Sequence, residues 1–160
     1  IRREGSRFMK KIKEIRFREI GFALQRGVRL DNDIKIKKTV YKASGGKEIF
    51  IEAVNKDDIL FGLLRLRIEK DDKKEFNAMV RELHVYGPAL NIGEGEGIED
   101  TTSVQHKGLG KEMLQFAEQI AIKNKCKSMK IISGVGVREY YKKIGFLLDN
   151  EKIYMERHFI

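Results

Sequence analysis

The order in which strand-like and helix-like hydrophobic patterns follow one another is the feature that most constrains the fold. Between residues 34 and 86, apolar segments are separated by short polar turns, which predicts strands joined as hairpins. The predicted strands cover residues 34–43, 49–54, 59–69 and 76–86, and the last three form an antiparallel meander. From Gly108 the apolar residues change to spacings of three and four, which predicts an amphipathic helix that ends near Asn124.

The segments after this helix complete an α/β pattern. A short apolar strand is predicted over residues 129–133, a short helix over 138–143 and a final strand over 153–159. Because the strand at 129–133 is apolar on both faces, we expect it to lie inside the sheet and parallel to a neighbour. The predicted fold class is therefore α/β, with a mixed sheet of antiparallel strands and one parallel pair, flanked by helices.

The first part of the chain carries the excess of positive charge. Residues 1–47 contain 15 Lys and Arg against 5 Asp and Glu, whereas residues 48–160 contain 18 against 19. A basic segment beside a nearly neutral domain indicates a polyanionic partner, with nucleic acid foremost. The alternative is a solvated basic face, or one that meets an acidic neighbouring domain. Residues 7–26 have helical spacing, with breaks expected near Gly21 or Gly27. The predicted organisation is a basic helical lead-in over 1–30 and one domain over 31–160.

Composition excludes several classes of protein. A hydrophobic fraction of 41% excludes a disordered chain, and no run approaches the roughly 18 apolar residues that a membrane-spanning helix needs. The single cysteine, Cys126, excludes an internal disulfide and an all-cysteine zinc site. The sequence opens with Ile1, and its first residues lack the apolar stretch of a signal peptide. We therefore expect a cytoplasmic protein without a membrane partner.

A glycine-rich hexapeptide, Gln-His-Lys-Gly-Leu-Gly, precedes the amphipathic helix. Two glycines two residues apart allow successive backbone N–H groups to point at one anion, and the start of a helix adds positive partial charge. The spacing matches neither a P-loop nor a dinucleotide fingerprint, and such glycines also suit a simple tight turn. The candidate pyrophosphate-binding segment consists of Gln105, His106, Lys107, Gly108, Leu109, Gly110 and Lys111.

Two groups of residues are candidates for proton transfer. Tyr140 and Tyr141 lie in the predicted short helix 138–143, and a phenol there that faces a gap between strands can donate a proton to a leaving thiolate. The alternative is that one or both rings belong to the core. Glu82 and His84 alternate on one face of the predicted strand 76–86, and either could act as a base unless cross-strand neighbours simply satisfy them.

The combination of Gln-x-x-Gly-x-Gly, an amphipathic helix, a short strand and Tyr-x-x-x-Gly-Phe resembles the GNAT acetyltransferase superfamily. The resemblance implies that the first motif holds the pyrophosphate of acetyl-CoA. It also implies that the parallel strands 76–86 and 129–133 splay apart around the pantetheine arm, along Leu83, Val85, Ser133 and Gly134. Tyr141 matches the tyrosine that protonates the CoA sulfur, and Tyr140 is its neighbour, expected to pack or to contact the acceptor.

Five longer motifs resemble the family of Elongator catalytic subunits more closely. They are Arg16-x-Arg18-Glu19-Ile20-Gly21, Tyr41-x-Ala43-Ser44-Gly45-Gly46-x-Glu48, Gly62-Leu63-Leu64-Arg65-Leu66-Arg67, Arg81-Glu82-Leu83-His84-Val85-Tyr86-Gly87 and Ser133-Gly134-Val135-Gly136-Val137-Arg138-x-Tyr140-Tyr141. The resemblance implies the C-terminal acetyltransferase-like half of an enzyme whose radical-SAM domain precedes the lead-in. Together the two halves would place an acetyl-derived group on the wobble uridine of tRNA, in the carboxymethyluridine pathway.

This resemblance also implies cofactors and partners. Acetyl-CoA would bind this domain, whereas S-adenosylmethionine and an iron-sulfur cluster would belong only to the radical-SAM domain of the same polypeptide. The expected tRNA-binding residues are Arg2, Arg3, Lys10, Lys11, Arg16 and Arg18. The family's Cys-x-Cys, which contributes to a zinc site, is replaced here by Ile12 and Glu14, so we expect no metal. An acidic, glycine-rich segment at 91–103 is longer than the family's usual link.

Two other functions fit the same residues. The first is a free-standing GNAT enzyme that acetylates a protein lysine or a small amine. The second belongs to a different class: a module that holds acetyl-CoA and RNA but catalyses no transfer.

Overall fold

The computed structural model describes residues 15–31, 33–87 and 108–159, without the side chain of Arg16. Its helices are a 3-10 helix at Ile15–Arg18, α1 (Ile20–Gln25), α2 (Leu109–Lys123), a 3-10 helix at Val135–Val137 and α3 (Arg138–Lys143). Its strands are β1 (Lys35–Ala43), β2 (Gly46–Val54), β3 (Leu60–Lys70), β4 (Phe76–Val85), β5 (Ser128–Ile132), β6 (Leu147–Leu148) and β7 (Tyr154–His158).

The strands form one seven-stranded sheet in the order β1-β2-β3-β4-β5-β7-β6. Every neighbouring pair is antiparallel except β4 and β5, which run parallel. The mixed α/β sheet predicted from the sequence is confirmed, and β1 extends the predicted meander to four strands. Among the described residues, no helix is both long enough and apolar enough to cross a membrane.

Two boundaries differ from the prediction for local reasons. β2 begins at Gly46, inside the predicted turn, because Ser44 (φ 47°) and Gly45 (φ 73°) close the hairpin with two residues. α1 runs through Gly21 and ends before Gly27, which has a φ of 70°. The part of the predicted lead-in helix before residue 15 lies outside the described residues.

The core lies between the sheet and the helices on one of its faces. Along α2 the buried side chains follow the predicted helical spacing; they are Leu109, Met113, Leu114, Ala117, Ile120 and Ala121. Gly62 of β3 allows α2 to approach, because a Cβ there would lie 2.9 Å from Met113 Sδ and 3.1 Å from the His84 carbonyl oxygen. This close approach places the start of α2 over the first residues of β3 and the last residues of β4.

α3 lies on the same face of the sheet as α2. Arg157 of β7 donates to Glu118 of α2 (2.9 Å) and to the carbonyl oxygen of Ile144, just after α3 (3.3 Å). α1 also contributes to this core, since Ile20 and Ala23 are fully buried in it. The division of the chain at residue 30 stays a prediction.

Candidate active site

The parallel strands β4 and β5 separate soon after they pair. Their pairing covers only Ala78 to Val80 on β4, opposite Met129 to Ile131 on β5, whereas β4 continues along β3 to Val85. The register between β3 and β4 shifts here, because Arg81 is an extra residue in β4. A bulge bends its strand and increases the local twist, so β4 turns away from β5 just past it. The splayed pair predicted from the sequence is confirmed.

Beyond the bulge, β4 offers backbone polar groups to this gap. The Tyr86 N–H donates to the Phe61 carbonyl oxygen (2.8 Å), so Tyr86, and with it His84, turns its backbone groups toward β3. In the alternating pattern of an antiparallel ladder, Leu83 and Val85 therefore turn theirs toward the gap. Along this stretch of the described chain they have no strand partner. Such groups need hydrogen bonds, and an amide-bearing ligand can supply them.

The start of α2 closes one side of the gap. Gly108, the residue before the helix, has a φ of 105°, a left-handed conformation that suits glycine. A Cβ on Gly110 would lie 3.4 Å from Val85 Cγ2 and 3.7 Å from the Tyr140 hydroxyl. The first turn of α2, the end of β4 and α3 thus meet at Gly110. The first N–H groups of a helix lack intrahelical acceptors and can bind an anion.

Four of the seven predicted pyrophosphate-binding residues fall within the described chain. Leu109 is buried in the core, and Lys111 is exposed on the first turn of α2. Gly108 and Gly110 shape that turn as described above. The other three, Gln105, His106 and Lys107, lie outside the described residues.

The two tyrosines occupy different environments. Tyr141 is only 7% exposed, with its ring edge-on to Phe146 (6.1 Å), whereas Tyr140 is 42% exposed. Burial raises the pKa of both hydroxyls, and the neighbouring Tyr140 raises that of Tyr141 further. Both groups therefore keep their protons at neutral pH. Neither hydroxyl has a hydrogen-bond partner among the residues that the structure describes.

Ser133 and Gly134 follow directly after β5, on the other side of the gap. The Ser133 hydroxyl oxygen is buried without a hydrogen-bond partner in the described part of the chain. An unsatisfied buried hydroxyl is costly, and a bound ligand can satisfy it. The gap therefore fits a ligand with amide groups and an anionic end, as acetyl-CoA has.

Glu82 and His84 lie on the other face of the sheet. Val85 pairs with Gly62, which faces α2, so the alternate residues Glu82 and His84 point away from it. His84 Nε2 lies 3.2 Å from Glu82 Oε1, and the other oxygen of Glu82 lies 3.6 Å from Arg65 Nη1. The structure thus brings Tyr140 together with Gly110 and Val85, with the Tyr141 ring beside it, but leaves Glu82 and His84 on the other face of the sheet.

A buried carboxylate that the sequence analysis assigned no role supports the bulge. Glu48 of β2 is 2% exposed, and its Oε1 accepts hydrogen bonds from Arg67 (2.9 Å) and Arg81 (3.0 Å). Burial alone would raise the pKa of Glu48, but the hydrogen bonds and charges of the two arginines outweigh it and lower the pKa. The available signal was the position of Glu48 in the Tyr41-x-Ala43-Ser44-Gly45-Gly46-x-Glu48 motif, directly before the apolar strand predicted at 49–54.

Only some of the residues considered for tRNA or metal binding lie in the described part of the chain. Arg18 donates to Glu52 (2.7 Å) and Asp58 (2.8 Å), which ties the first 3-10 helix to the β2–β3 hairpin. The other five predicted tRNA-binding side chains, Ile12, Glu14 and the segment 91–103 lie outside the described structure. Within residues 15–31, 33–87 and 108–159, no group of three His, Cys, Asp or Glu side chains could hold a metal ion.

Comparisons with known proteins agree with this geometry. The tRNA uridine(34) acetyltransferase of Dehalococcoides mccartyi is 41% identical over 144 residues, which are 84% of this chain and 30% of that protein. Elongator complex protein 3 of Schizosaccharomyces pombe is 40% identical over 147 residues, 87% of this chain and 26% of that protein. The chain therefore spans less than a third of the length of these relatives.

A solved structure matches over almost the whole chain. It is the archaeal Methanocaldococcus infernus Elp3 with an N-terminal deletion, with a TM-score of 0.75 and 33% identity over 96% of this chain and 38% of that one. The model of the acetyltransferase (GNAT) family matches residues 29–146, which include the bulge, the gap, the start of α2 and both tyrosines. GNAT domains use acetyl-CoA, and the residues present fit it. This chain belongs to the acetyltransferase (GNAT) family.

Proposed function

We propose that this chain is the acetyl-CoA-dependent acyltransferase domain of an enzyme that modifies the wobble uridine of tRNA, in the carboxymethyluridine pathway. One observation carries the proposal: similarity to proteins named for tRNA uridine(34) acetylation extends along 84% of this chain. A domain that shared only the cofactor-binding motifs would match over a shorter stretch.

The proposed cofactor site follows the gap. The N–H groups at the start of α2, with Gln105, His106 and Lys107 before it, hold the pyrophosphate. The backbones of Leu83 and Val85 pair with the pantetheine amides, and Ser133 and Gly134 lie across the gap. When bound, acetyl-CoA supplies the acetyl group as a thioester.

The tyrosines supply the proton that the departing sulfur needs. Tyr141 donates it, because its hydroxyl, protonated at neutral pH, has no partner among the described residues to compete for that proton. Tyr140 lines the groove above Gly110, in reach of the cofactor arm or the acceptor. An acceptor that approaches the gap from the second face of the sheet meets Glu82 and His84 as candidate bases.

The rest of the polypeptide completes the proposed enzyme. A radical-SAM domain with S-adenosylmethionine and an iron-sulfur cluster precedes the lead-in at 1–30, which joins this domain to it. The basic side chains Arg2, Arg3, Lys10, Lys11 and Arg16 face tRNA, whereas Arg18, whose guanidinium is held by Glu52 and Asp58, positions the end of the lead-in. The cytoplasmic location expected from the sequence stays a prediction.

The test uses the full reading frame that contains this segment. The protein is incubated with tRNA, S-adenosylmethionine, a reductant and acetyl-CoA labelled in the acetyl group, and the nucleosides are analysed by mass spectrometry. We expect label on the wobble uridine that depends on acetyl-CoA. Unlabelled tRNA together with efficient acetylation of a protein lysine or a small amine would instead establish a free-standing acetyltransferase. Acetyl-CoA and RNA binding without any transfer would establish a binding module.

A further inference from the structure

A second groove, of about 730 Å³, opens at the opposite end of β4 from the gap. Its lining includes Lys42, Lys47, Lys70, Phe76, Asn124 and the Ser44–Gly46 turn. Lys47 donates to the side-chain oxygen of Asn124, the residue that caps α2, so the groove lies on the helix face of the sheet beyond the last turn of α2.

The lysines of this groove are not neutralised by the described residues. Lys42 and Lys47 are directly opposite each other on β1 and β2, an arrangement that destabilises a sheet because the charges repel. Neither makes an ion pair within the described chain, and Lys70 instead lies over the Phe76 ring, 4.9 Å from its centre. Among the described residues, Glu69 is the one carboxylate that lines the groove, and it is paired with Arg67 at 2.6 Å. An anion in the groove would remove this repulsion.

The hairpin turn adds neutral donors that are held in place. Arg67 donates to the carbonyl oxygens of Ala43 (3.2 Å) and Ser44 (2.9 Å), which fixes the turn. A Cβ on Gly46 would lie 2.8 Å from the guanidinium carbon of Arg67, so a larger residue there would displace the guanidinium that holds the turn. The N–H groups of Ser44 and Gly45 have no backbone acceptor in the described structure and remain available to a ligand oxygen.

An exposed aromatic ring distinguishes this groove from a simple anion site. Phe76 is 39% exposed beside the lysines. Lysines that track phosphates, next to an aromatic ring on which a base stacks, are the usual components of single-stranded nucleic-acid sites. The ten residues of β4 separate this groove from the far end of the gap by about 30 Å, at roughly 3.3 Å per residue. A ligand that reaches both sites must be an extended polymer.

We propose that this groove binds RNA, with backbone phosphates between Lys42, Lys47 and Lys70 and a base against Phe76. The choice of RNA rests on the proposed function, since a wobble-uridine enzyme must hold its tRNA while one nucleotide enters the active site. The groove then positions tRNA at a distance from the gap. Its residues lie outside the lead-in at 1–30, so it is a tRNA contact separate from the one predicted there.

The test measures tRNA binding by the full-length protein as a function of salt. In the variant Lys42→Gln/Lys47→Gln/Lys70→Gln, we expect the slope of log affinity against log salt to fall by about 2 to 3. At 150 mM salt, tRNA affinity should fall at least about tenfold. Phe76→Leu should weaken binding about fivefold or more with little change in slope, because stacking releases no counterions.

A matched control removes the same charge elsewhere. Lys35, Lys56 and Lys152 are exposed, and the first two already pair with Asp33 and Asp31. Their triple change to Gln should leave slope and affinity nearly unaltered. The groove variant should also keep its CoA affinity and melting temperature, because it removes a like-charged pair and no buried group.

Each of the remaining outcomes overturns either the proposed RNA-binding groove or the proposed function of the chain. An unchanged slope in the groove variant, with normal tRNA modification, overturns the groove and leaves the proposed function intact. Equal losses in the groove variant and the control also overturn it, because net charge alone would then matter. Inorganic phosphate or a polyglutamate peptide could instead bind the wild-type protein and not the groove variant, while both proteins bind tRNA equally well. That result would overturn the RNA proposal and assign the groove to another class of anion. A wild-type protein that neither binds nor modifies tRNA overturns the proposed function itself.

Discussion

Arg81 reaches across β3 to the buried carboxylate of Glu48, with 3.0 Å between Arg81 Nη1 and Glu48 Oε1. Arg81 is also the extra residue of the bulge at which β4 leaves β5. The Arg81 side chain is therefore anchored on β2, two strands away, by Glu48 Oε1, which also accepts a hydrogen bond from Arg67. We infer that this contact maintains the shape of the cofactor gap.

The first prediction concerns the replacement Glu48→Gln. Removing one partner of a buried ion pair leaves the other charges poorly compensated, so the free energy of unfolding should fall by roughly 3 kcal/mol. CoA affinity, measured on the folded variant, should fall as well, because the bulge loses its anchor. Urea unfolding and calorimetry check the two effects. Glu139→Gln, which removes an exposed ion pair with Lys142, is the control and should change unfolding little.

The same carboxylate should make stability depend on pH. The pKa of Glu48 lies below its ordinary value of 4.5 in the folded protein. Its contribution is therefore complete above pH 4.5 and is lost as the pH falls through the lower folded value. The stability difference between wild type and Glu48→Gln should shrink in that acid range. A difference that stays constant from pH 7 to pH 3 would show that the charge of Glu48 is not what stabilises the bulge.

Most of the fold could be predicted from the sequence because the apolar residues of each long helix or strand recur with the period of that element. β3 and α2 have many alternating or helically spaced apolar residues, and their predicted ends are within one residue of those observed. β6 was missed because its two residues, Leu147 and Leu148, are too short to show a period. The hairpin turn was predicted too long, because strand pairing carries Gly46 and Lys47 into β2.

The site could be predicted only where a local motif marks it. The glycines before α2 and the paired tyrosines were found because their spacing is local in the sequence. The partnership of Glu48 with Arg81 joins residues 33 positions apart across an intervening strand, so no spacing rule contains it. The different burial of Tyr140 and Tyr141 likewise depends on which ring meets Phe146, and adjacent positions in a sequence do not determine that.

A second prediction concerns Gly110. A Cβ there would make only ordinary contacts, so Gly110→Ala should keep both the melting temperature and CoA affinity. Gly110→Leu extends into the space where the first turn of α2 faces Val85 and should weaken CoA binding at least about tenfold while the protein stays folded. Gly21→Leu, at a helical glycine with open space around it, is the matched control. Calorimetry that finds unchanged CoA affinity in Gly110→Leu would place the pyrophosphate elsewhere.

A third prediction concerns the thiol of Cys126. Burial raises its pKa from the ordinary 9.0 to about 11, and the residue is 5% exposed. Because the thiolate is the nucleophile, the native protein should react with iodoacetamide at pH 8 roughly a hundredfold more slowly than the denatured protein does. Mass spectrometry of timed samples measures both rates. Rapid labelling of the native protein would mean that the segment after α2 opens readily.

The last prediction separates the two tyrosines. Tyr141→Phe removes a hydroxyl and little volume, so acetyl-CoA affinity should hardly change. Cleavage of the thioester should fall by about 10²-fold, the contribution of a positioned general acid. Because the pKa of Tyr141 is raised above 10.0, the wild-type rate should persist to that pH and fall only above it, and the variant should lose this alkaline limb. Tyr140→Phe should affect thioester cleavage less and use of the acceptor more.

The two single variants and the double variant are compared in the full-length protein, with thioester cleavage and tRNA modification measured separately. If Tyr141→Phe keeps full activity and its alkaline limb while Tyr140→Phe loses both, the proton donor is the exposed ring beside Gly110 rather than the buried one. If both variants are fully active, the rings only shape the groove, as the contact between their ring centres at 5.3 Å would allow. The expected result is a large loss in Tyr141→Phe alone, with the double variant no slower in thioester cleavage than that single change.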